Sequence, residues 1–248
     1  MIKALAESGL FHLGGVLIDT HAFTVLGNLL GVRWARHAVK TQDIDIAGGL
    51  HLDIAVPDLH ADIPKTLDAL KMGFLPIPAL NPKSPSTSFK VRGSALRVDF
   101  VTPLKHRRNV APVFIRRFNI AAQPLPYLGY VIERCERGAL VDGQGVLVNV
   151  PAPARFAFHK LIVSRTRDVS TRTKSDKDLL QAAQIFEVLA EDRPGDLALA
   201  WNALESHGKA WTAKAVAGLS ALLRRHPAVQ QPLLHVLPIL CSYLQRRG

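Results

Sequence analysis

Two aspartates separated by one residue stand in the stretch TQDIDIA, residues 41 to 47. Side chains two apart on a strand point to one face, so Asp43 and Asp45 share a side while Ile44 and Ile46 face a core on the other. At a rise of about 3.3 Å per residue their Cα atoms lie roughly 7 Å apart, and both carboxylates can converge on one point. Two anions held there repel each other, and a divalent cation between them removes the repulsion. Hard cations such as Mg²⁺ take carboxylate oxygens and are often completed by substrate phosphates. A half-exposed strand with a solvated acidic face is the other reading of a bare D-x-D. A third carboxylate, Asp99, falls on the polar face of ALRVDFVTP, where Leu96, Val98 and Phe100 alternate with Arg97 and Asp99. Three acids so placed suit metal-assisted transfer at a phosphate: two hold the metal that carries the phosphates, and the third shares a second metal and helps activate an attacking hydroxyl.

The elements that must position these acids are legible in the pattern. GVLI at 15 to 18 reads as a buried strand, with Asp19 and Thr20 as N-cap candidates for a helix that runs through Leu30 and ends at Gly31. Residues 32 to 41 read as a basic loop, TQDIDIA as the next strand, and HLDIAV as a further alternating strand. A helix over 61 to 72 opens near Pro64, and PIPALNPKSPSTS is a surface loop. TSFKV and ALRVDFVTP form a hairpin turning at Gly93 and Ser94, and VLVNV at 146 to 150 is the last strand. From Ala154 the pattern becomes helical: a helix through FAFHKLIVSRTR, a basic polar stretch DVSTRTKSDK, then DLLQAAQIFEVLAE with Ser175 and Asp178 as a capping box. Pro194 opens another helix that Gly208 closes, and two more follow, the last interrupted by prolines. The organisation expected is a mixed α/β domain over 1–150 and an α-helical domain over 151–248.

Composition narrows the partners. The chain has 248 residues, 48% hydrophobic and 21% charged, which is globular rather than disordered. Its 31 Lys and Arg against 20 Asp and Glu give +11, which favours polyanionic partners such as nucleoside triphosphates or RNA; solubility is the alternative reason for the surplus. Cys135 and Cys241 have no metal-binding spacing and no disulfide framework, so a reducing cytoplasm is expected. The N-terminal stretch lacks the pattern of a secretion signal. The nearest candidate for a membrane span, 227 to 241, is broken by Pro232 and Pro238, and no membrane association is expected. Gly14 and Gly15 make no dinucleotide fingerprint, and Thr20 and His21 lack a nucleophile-elbow context.

Several blocks in order, VLIDTHAF, LGVRW, TQDIDIA, RVDFVTP, AAQPLPYLGYVI, VPAPARFAFHKLIVS and KSDKDLLQAAQIFEVL, resemble the nucleotidyltransferase-fold proteins of the DNA polymerase β superfamily. More narrowly, they resemble a bacterial group related to the AbiEii-type toxin nucleotidyltransferases. The resemblance implies a mixed-sheet, polymerase-β-like catalytic domain followed by a helical domain whose first helix closes a cleft. It implies Asp43, Asp45 and Asp99 as ligands of Mg²⁺ or Mn²⁺, and Thr20 at the phosphate-contacting position of the first helix turn. It further implies transfer of a nucleoside monophosphate from an NTP to an acceptor hydroxyl, RNA among the acceptors, and an antitoxin among the partners.

Asp19 departs from the family pattern, which has glycine there. An aspartate adds a side chain and a like charge beside a phosphate; two unit charges at 4 Å repel by about 4 kcal/mol at an effective dielectric of 20. Asp19 caps its helix, or joins the metal cluster, or marks a member that has lost triphosphate binding and serves as a nucleic-acid or macromolecule binding module. In the helical part, Lys160, Ser164 and Arg167 fall on one helix face, apart from Leu161 and Ile162. Within the resemblance Lys160 reaches the triphosphate, and Lys174, Lys177 and Asp178 match a lysine-aspartate motif, which makes Lys160 and Lys177 nucleotide-binding candidates. A solvated basic surface is the alternative for each lysine. His159 reads as structural. The basic run at 105 to 108, with Arg116 and Arg117, lines a nucleic-acid path or a solvated loop.

Overall fold

A computed structural model describes residues 1–39, 41–49, 60–79, 81–105, 110–142, 144–167 and 172–245. The chain divides into two compact units, Met1–Pro151 and Ala152–Gly248.

The first unit is a mixed α/β layer. A short helix α1 (Ile2–Glu7) precedes β1 (Gly15–Ile18), α2 (Asp19–Leu30), a one-turn helix α3 (Arg36–Val39) and β2 (Asp43–Gly48). Then come α4 (Ile63–Ala69), β3 (Phe74–Pro76), β4 (Ser88–Val91), β5 (Arg97–Pro103), β6 (Val113–Ile115), β7 (Ile120–Leu125), α5 (Leu128–Ile132), β8 (Cys135–Asp142) and β9 (Gln144–Pro151). The seven-stranded sheet runs β1-β2-β5-β4-β3, with β7 also paired to β5 and β6 to β7. β2 and β7 are parallel to β5, whereas β1 is antiparallel to β2 and β4 is antiparallel to β5. β8 and β9 form a separate hairpin.

Alternation determines which face of this sheet is buried. Along β2, Ile44 and Ile46 are buried while Asp43 and Asp45 are half-buried; along β5, Val98 and Phe100 are buried while Arg97 and Asp99 are half-buried. Buried strand faces of Val, Ile and Phe supply most of the favourable term, about 1.5–3 kcal/mol for each large side chain removed from water. α2 ends at Gly31, whose φ of 69° is left-handed backbone that glycine adopts without penalty. Trp34 stacks on Phe23 at 4.5 Å and donates Nε1–H to the Phe23 carbonyl, so the segment after α2 is anchored although it contains little regular structure. The β8–β9 hairpin is tied to the sheet by Asn149, whose Nδ2 donates to the carbonyls of Phe11 (2.6 Å) and Gly15 (2.9 Å).

The second unit is helical: α6 (Pro153–Ser164), α7 (Arg172–Asp192), α8 (Pro194–Ser206), α9 (Lys209–Arg225), α10 (Gln230–Val236) and α11 (Ile239–Gln245). Phe158 lies at its centre, 5.0 Å from the Phe186 ring and 5.5 Å from Trp201, so α6, α7 and α8 share one aromatic core. α9 meets α6 at Gly218, where a Cβ would lie 2.3 Å from the Leu161 carbonyl oxygen. No described helix is long and apolar enough to cross a membrane. Both cysteines are free thiols.

Several expected boundaries differ. The loop over 32 to 41 contains α3, and the 61–72 helix is shorter, opened by Asp62, whose carboxylate accepts from the Lys65 N–H. The hairpin into ALRVDFVTP forms with Gly93 at φ 71° in its turn. The capping box at Ser175 does not form, because α7 already begins at Arg172. α8 stops at Ser206 with His207 as its C-cap, and Gly208 (φ 98°) occupies the N-cap position of α9 instead. The expected HLDIAV strand and the run at 106–108 lie outside the described residues.

Candidate active site

Strand register places the three candidate acids on one sheet face. In the parallel pair β2–β5, Asp43 is opposite Arg97 and Asp45 is opposite Asp99. Neighbouring strands run about 4.8 Å apart, and residues in register point to the same side, so Asp45 and Asp99 stand side by side with Asp43 two residues along. On the other edge of β2, Ile18 pairs with Asp45, so the step from β1 into α2 falls next to the acids. The N-terminus of a twelve-residue helix therefore opens beside Asp45, and its first N–H groups and dipole favour an anion there.

That step is made by Asp19. Its φ is 53°, left-handed backbone that side-chain-bearing residues adopt rarely and that aspartate tolerates better than most. The N-cap position falls on Ile18, and Asp19 is the first helical residue. The chain thus retains a glycine-type backbone turn while placing a carboxylate on it. Thr20, the second residue of α2, is buried at 3% exposure.

Asp99 has partners that the spacing did not announce. Arg97 Nε donates to Asp99 Oδ1 at 2.7 Å, Arg97 Nη2 donates to Ser88 Oγ at 3.1 Å, and Ser88 Oγ donates to Asp99 Oδ1. Ser88 is opposite Asp99 in the β4–β5 register, which closes this three-membered network across two strands. The R-x-D alternation put Arg97 and Asp99 on one face, but the part played by Ser88 depends on strand pairing and had no local signal. Among the described residues, no three His, Cys, Asp or Glu side chains are drawn together tightly enough to form a metal cluster. The side chain of Asp99 is directed to Arg97 and Ser88, while its strand position adjoins Asp45.

The lysine candidates lie in the helical unit. Lys160 is buried, with its Nζ 2.7 Å from Asp178 Oδ1; Arg167 Nε lies 2.6 Å from Asp178 Oδ2. Lys160 and Ser164 therefore point inward, because Asp178 on α7 supplies a carboxylate to pair with the ammonium there. Asp178, read from the sequence as part of a capping box, is instead the anion shared by buried Lys160 and half-buried Arg167. Breaking such a pair on one side leaves an uncompensated charge in the interior, at a cost of about 3–5 kcal/mol. Lys177 is half-buried on α7 and has polar contacts of its own.

A mixed sheet with carboxylates in register on adjacent parallel strands, and a helix N-terminus opening beside them, defines the first unit as a mixed α/β domain. The sequence specifies which: residues 1–205 match the model of a nucleotidyltransferase family, and the chain belongs to that family. Among solved structures it is similar to an antigenic nucleotidyltransferase-like protein from Paracoccidioides brasiliensis, at 12% identity and a TM-score of 0.44, covering 94% of this chain and 90% of that one. A comparison with curated proteins gave no match.

Proposed function

We propose that the chain is a metal-dependent nucleotidyltransferase that moves a nucleoside monophosphate from an NTP to an acceptor hydroxyl. The observation that carries this reading is the register of Asp45 against Asp99, with Asp43 on the same face and the α2 N-terminus beside them. The donor set fits Mg²⁺ or Mn²⁺: Mg²⁺ is usually held by one or two carboxylates plus substrate phosphates, so Asp43 and Asp45 suffice without a preassembled three-acid cluster. When bound, the metal neutralises phosphate charge and stabilises the departing pyrophosphate.

The protein's own groups have separable tasks. The first N–H groups of α2, Thr20 included, hold phosphate oxygens. Asp99 accepts the proton of the acceptor hydroxyl as its oxygen bonds to the α-phosphorus and the bond to the β-phosphate oxygen breaks. Arg97 and Ser88 fix the direction of the Asp99 carboxylate before the substrate arrives. The finer reading places the protein among cytoplasmic relatives of AbiEii-type toxins, with RNA as acceptor and an antitoxin as partner; the +11 charge favours a polyanion over a neutral small molecule.

Calorimetric titration of Mg²⁺ with each NTP tests the proposal. Asp45→Ala should abolish Mg²⁺-dependent NTP binding while leaving the protein folded, because the carboxylate is half-buried at a sheet surface rather than part of the core. Unchanged NTP affinity in a folded Asp45→Ala variant overturns the metal assignment. Asp19 favours a second reading, a fold that has lost triphosphate binding and serves as a binding module. In that case the protein binds RNA but no NTP at any Mg²⁺ concentration.

A further inference from the structure

We propose that the helical unit carries a phosphate-binding pocket of its own where the C-terminus of α6, the first turns of α7 and the C-terminus of α9 meet. A cavity of about 340 Å³ lies there, large enough for an oligophosphate or a nucleotide. Arg165 and Arg167 enter it from the end of α6, Arg172 and Ser175 from the start of α7, and Arg225 from the end of α9. Guanidinium groups present forked N–H donors that match phosphate oxygens, and among the described lining residues four of them stand against one carboxylate, Asp176.

Among the described residues, Arg225 is paired with Asp176, which also lines the cavity, and Arg167 shares Asp178 with buried Lys160. Arg165 and Arg172 are exposed and bring two positive charges to the cavity. Arg165 sits at the end of α6, where the helix dipole favours a cation. Arg172 opens α7, where the dipole opposes one, and the first turn of α7 has no acid to compensate. An anion in the pocket would reverse that unfavourable placement and screen the mutual repulsion of the arginines. The C-termini of α6 and α9 account for Arg165 and Arg225, whereas Arg172 stands at an electropositive helix end, where a bound anion supplies the compensation that the first turn of α7 lacks.

The ligand class is a phosphate oligoanion, either free, such as a polyphosphate or nucleotide, or part of a single-stranded RNA backbone. This site is separate from Asp43, Asp45 and Asp99 and requires no metal, so it stands or falls independently of the catalytic reading. The test titrates the full chain in EDTA at low salt with sodium tripolyphosphate and, separately, with a short single-stranded RNA. Saturable binding of tripolyphosphate identifies a free oligophosphate site, and binding of RNA alone identifies a backbone site. In both cases the R165Q/R172Q variant, which alters exposed side chains only, should bind about tenfold more weakly or worse, with unchanged circular dichroism and Tm. D176N, by removing the carboxylate that competes for Arg225, should bind more tightly. The proposal is overturned if neither probe binds saturably, or if R165Q/R172Q binds as the parent does. Equal or weaker binding in D176N removes Arg225 from the site and overturns the three-helix pocket.

Discussion

Asp19 is the residue that most directly tests the proposed activity. Its backbone keeps the positive φ that glycine would supply, while its side chain brings a negative charge to the helix end proposed to hold phosphate. Asp19→Gly retains the turn and removes the charge, so NTP binding measured by calorimetry should tighten by about one or two orders of magnitude, roughly 1.4 kcal/mol for each tenfold. Loss of binding in that variant would place Asp19 among the metal-holding acids. The conformation at this position could be anticipated only from the family pattern, since Asp-Thr before an apolar helix reads equally well as an ordinary N-cap. Asp43, Asp45 and Asp99, by contrast, were legible as surface acids from the two-residue period alone. The register of Asp45 against Asp99 was not, because more than fifty positions of chain separate them and the pairing leaves no local trace. Asp178 shows the opposite failure. Its spacing from Ser175 satisfied a local rule, but a carboxylate between buried Lys160 and Arg167 is worth more than a cap, and tertiary pairing determined its role.

At the scale of elements, the helical unit depends on close approach. Gly218 sits in the interior of α9, where helix propensity alone favours alanine by about 1 kcal/mol. A Cβ there would lie 2.3 Å from the Leu161 oxygen and 2.7 Å from its carbonyl carbon, both backbone atoms that cannot turn aside. Gly218→Ala should therefore lose about 1–3 kcal/mol in denaturant unfolding, and a gain in stability would show that α6 and α9 are not so closely packed. The end of α9 carries a second consequence. Burial lowers the pKa of His226 below its ordinary 6.5 and neighbouring Arg225 lowers it further, while Glu187 acts in the opposite direction. The folded protein thus prefers the neutral imidazole. The associated stability is fully present above pH 6.5 and is lost as pH falls from there through the folded pKa, because the unfolded chain takes up the proton first. His226→Gln should flatten the stability profile over that interval; an unchanged acid slope would assign the pH dependence to other groups. Element types were easier to read than their ends. The apolar period located α2, α6, α8 and α9, whereas the start of α7 and the role of Gly208 depended on residues that only the folded chain brings into contact.

At the scale of the whole molecule the distinguishing property is charge. Both units carry more Lys and Arg than Asp and Glu, and with a total of +11 the chain attracts polyanions whatever its active site does. Counterion release separates specific use of that charge from incidental basicity. A protein that neutralises several phosphates of single-stranded RNA loses log affinity against log salt at about 0.7 per phosphate. If RNA is the acceptor, RNA binding should fall with salt at a slope steeper than about two, corresponding to three or more phosphate contacts. Arg107 and Arg108 lie in the basic run read from the sequence and outside the described residues, so their involvement is argued from charge alone. Reversing both to Glu should flatten the slope while leaving Mg²⁺-dependent NTP binding unchanged, since the acids proposed to serve NTP are on β2 and β5. A protein that binds Mg²⁺ and NTP yet shows no RNA binding at low salt would carry its positive charge for other reasons, and its acceptor would then be a small-molecule hydroxyl.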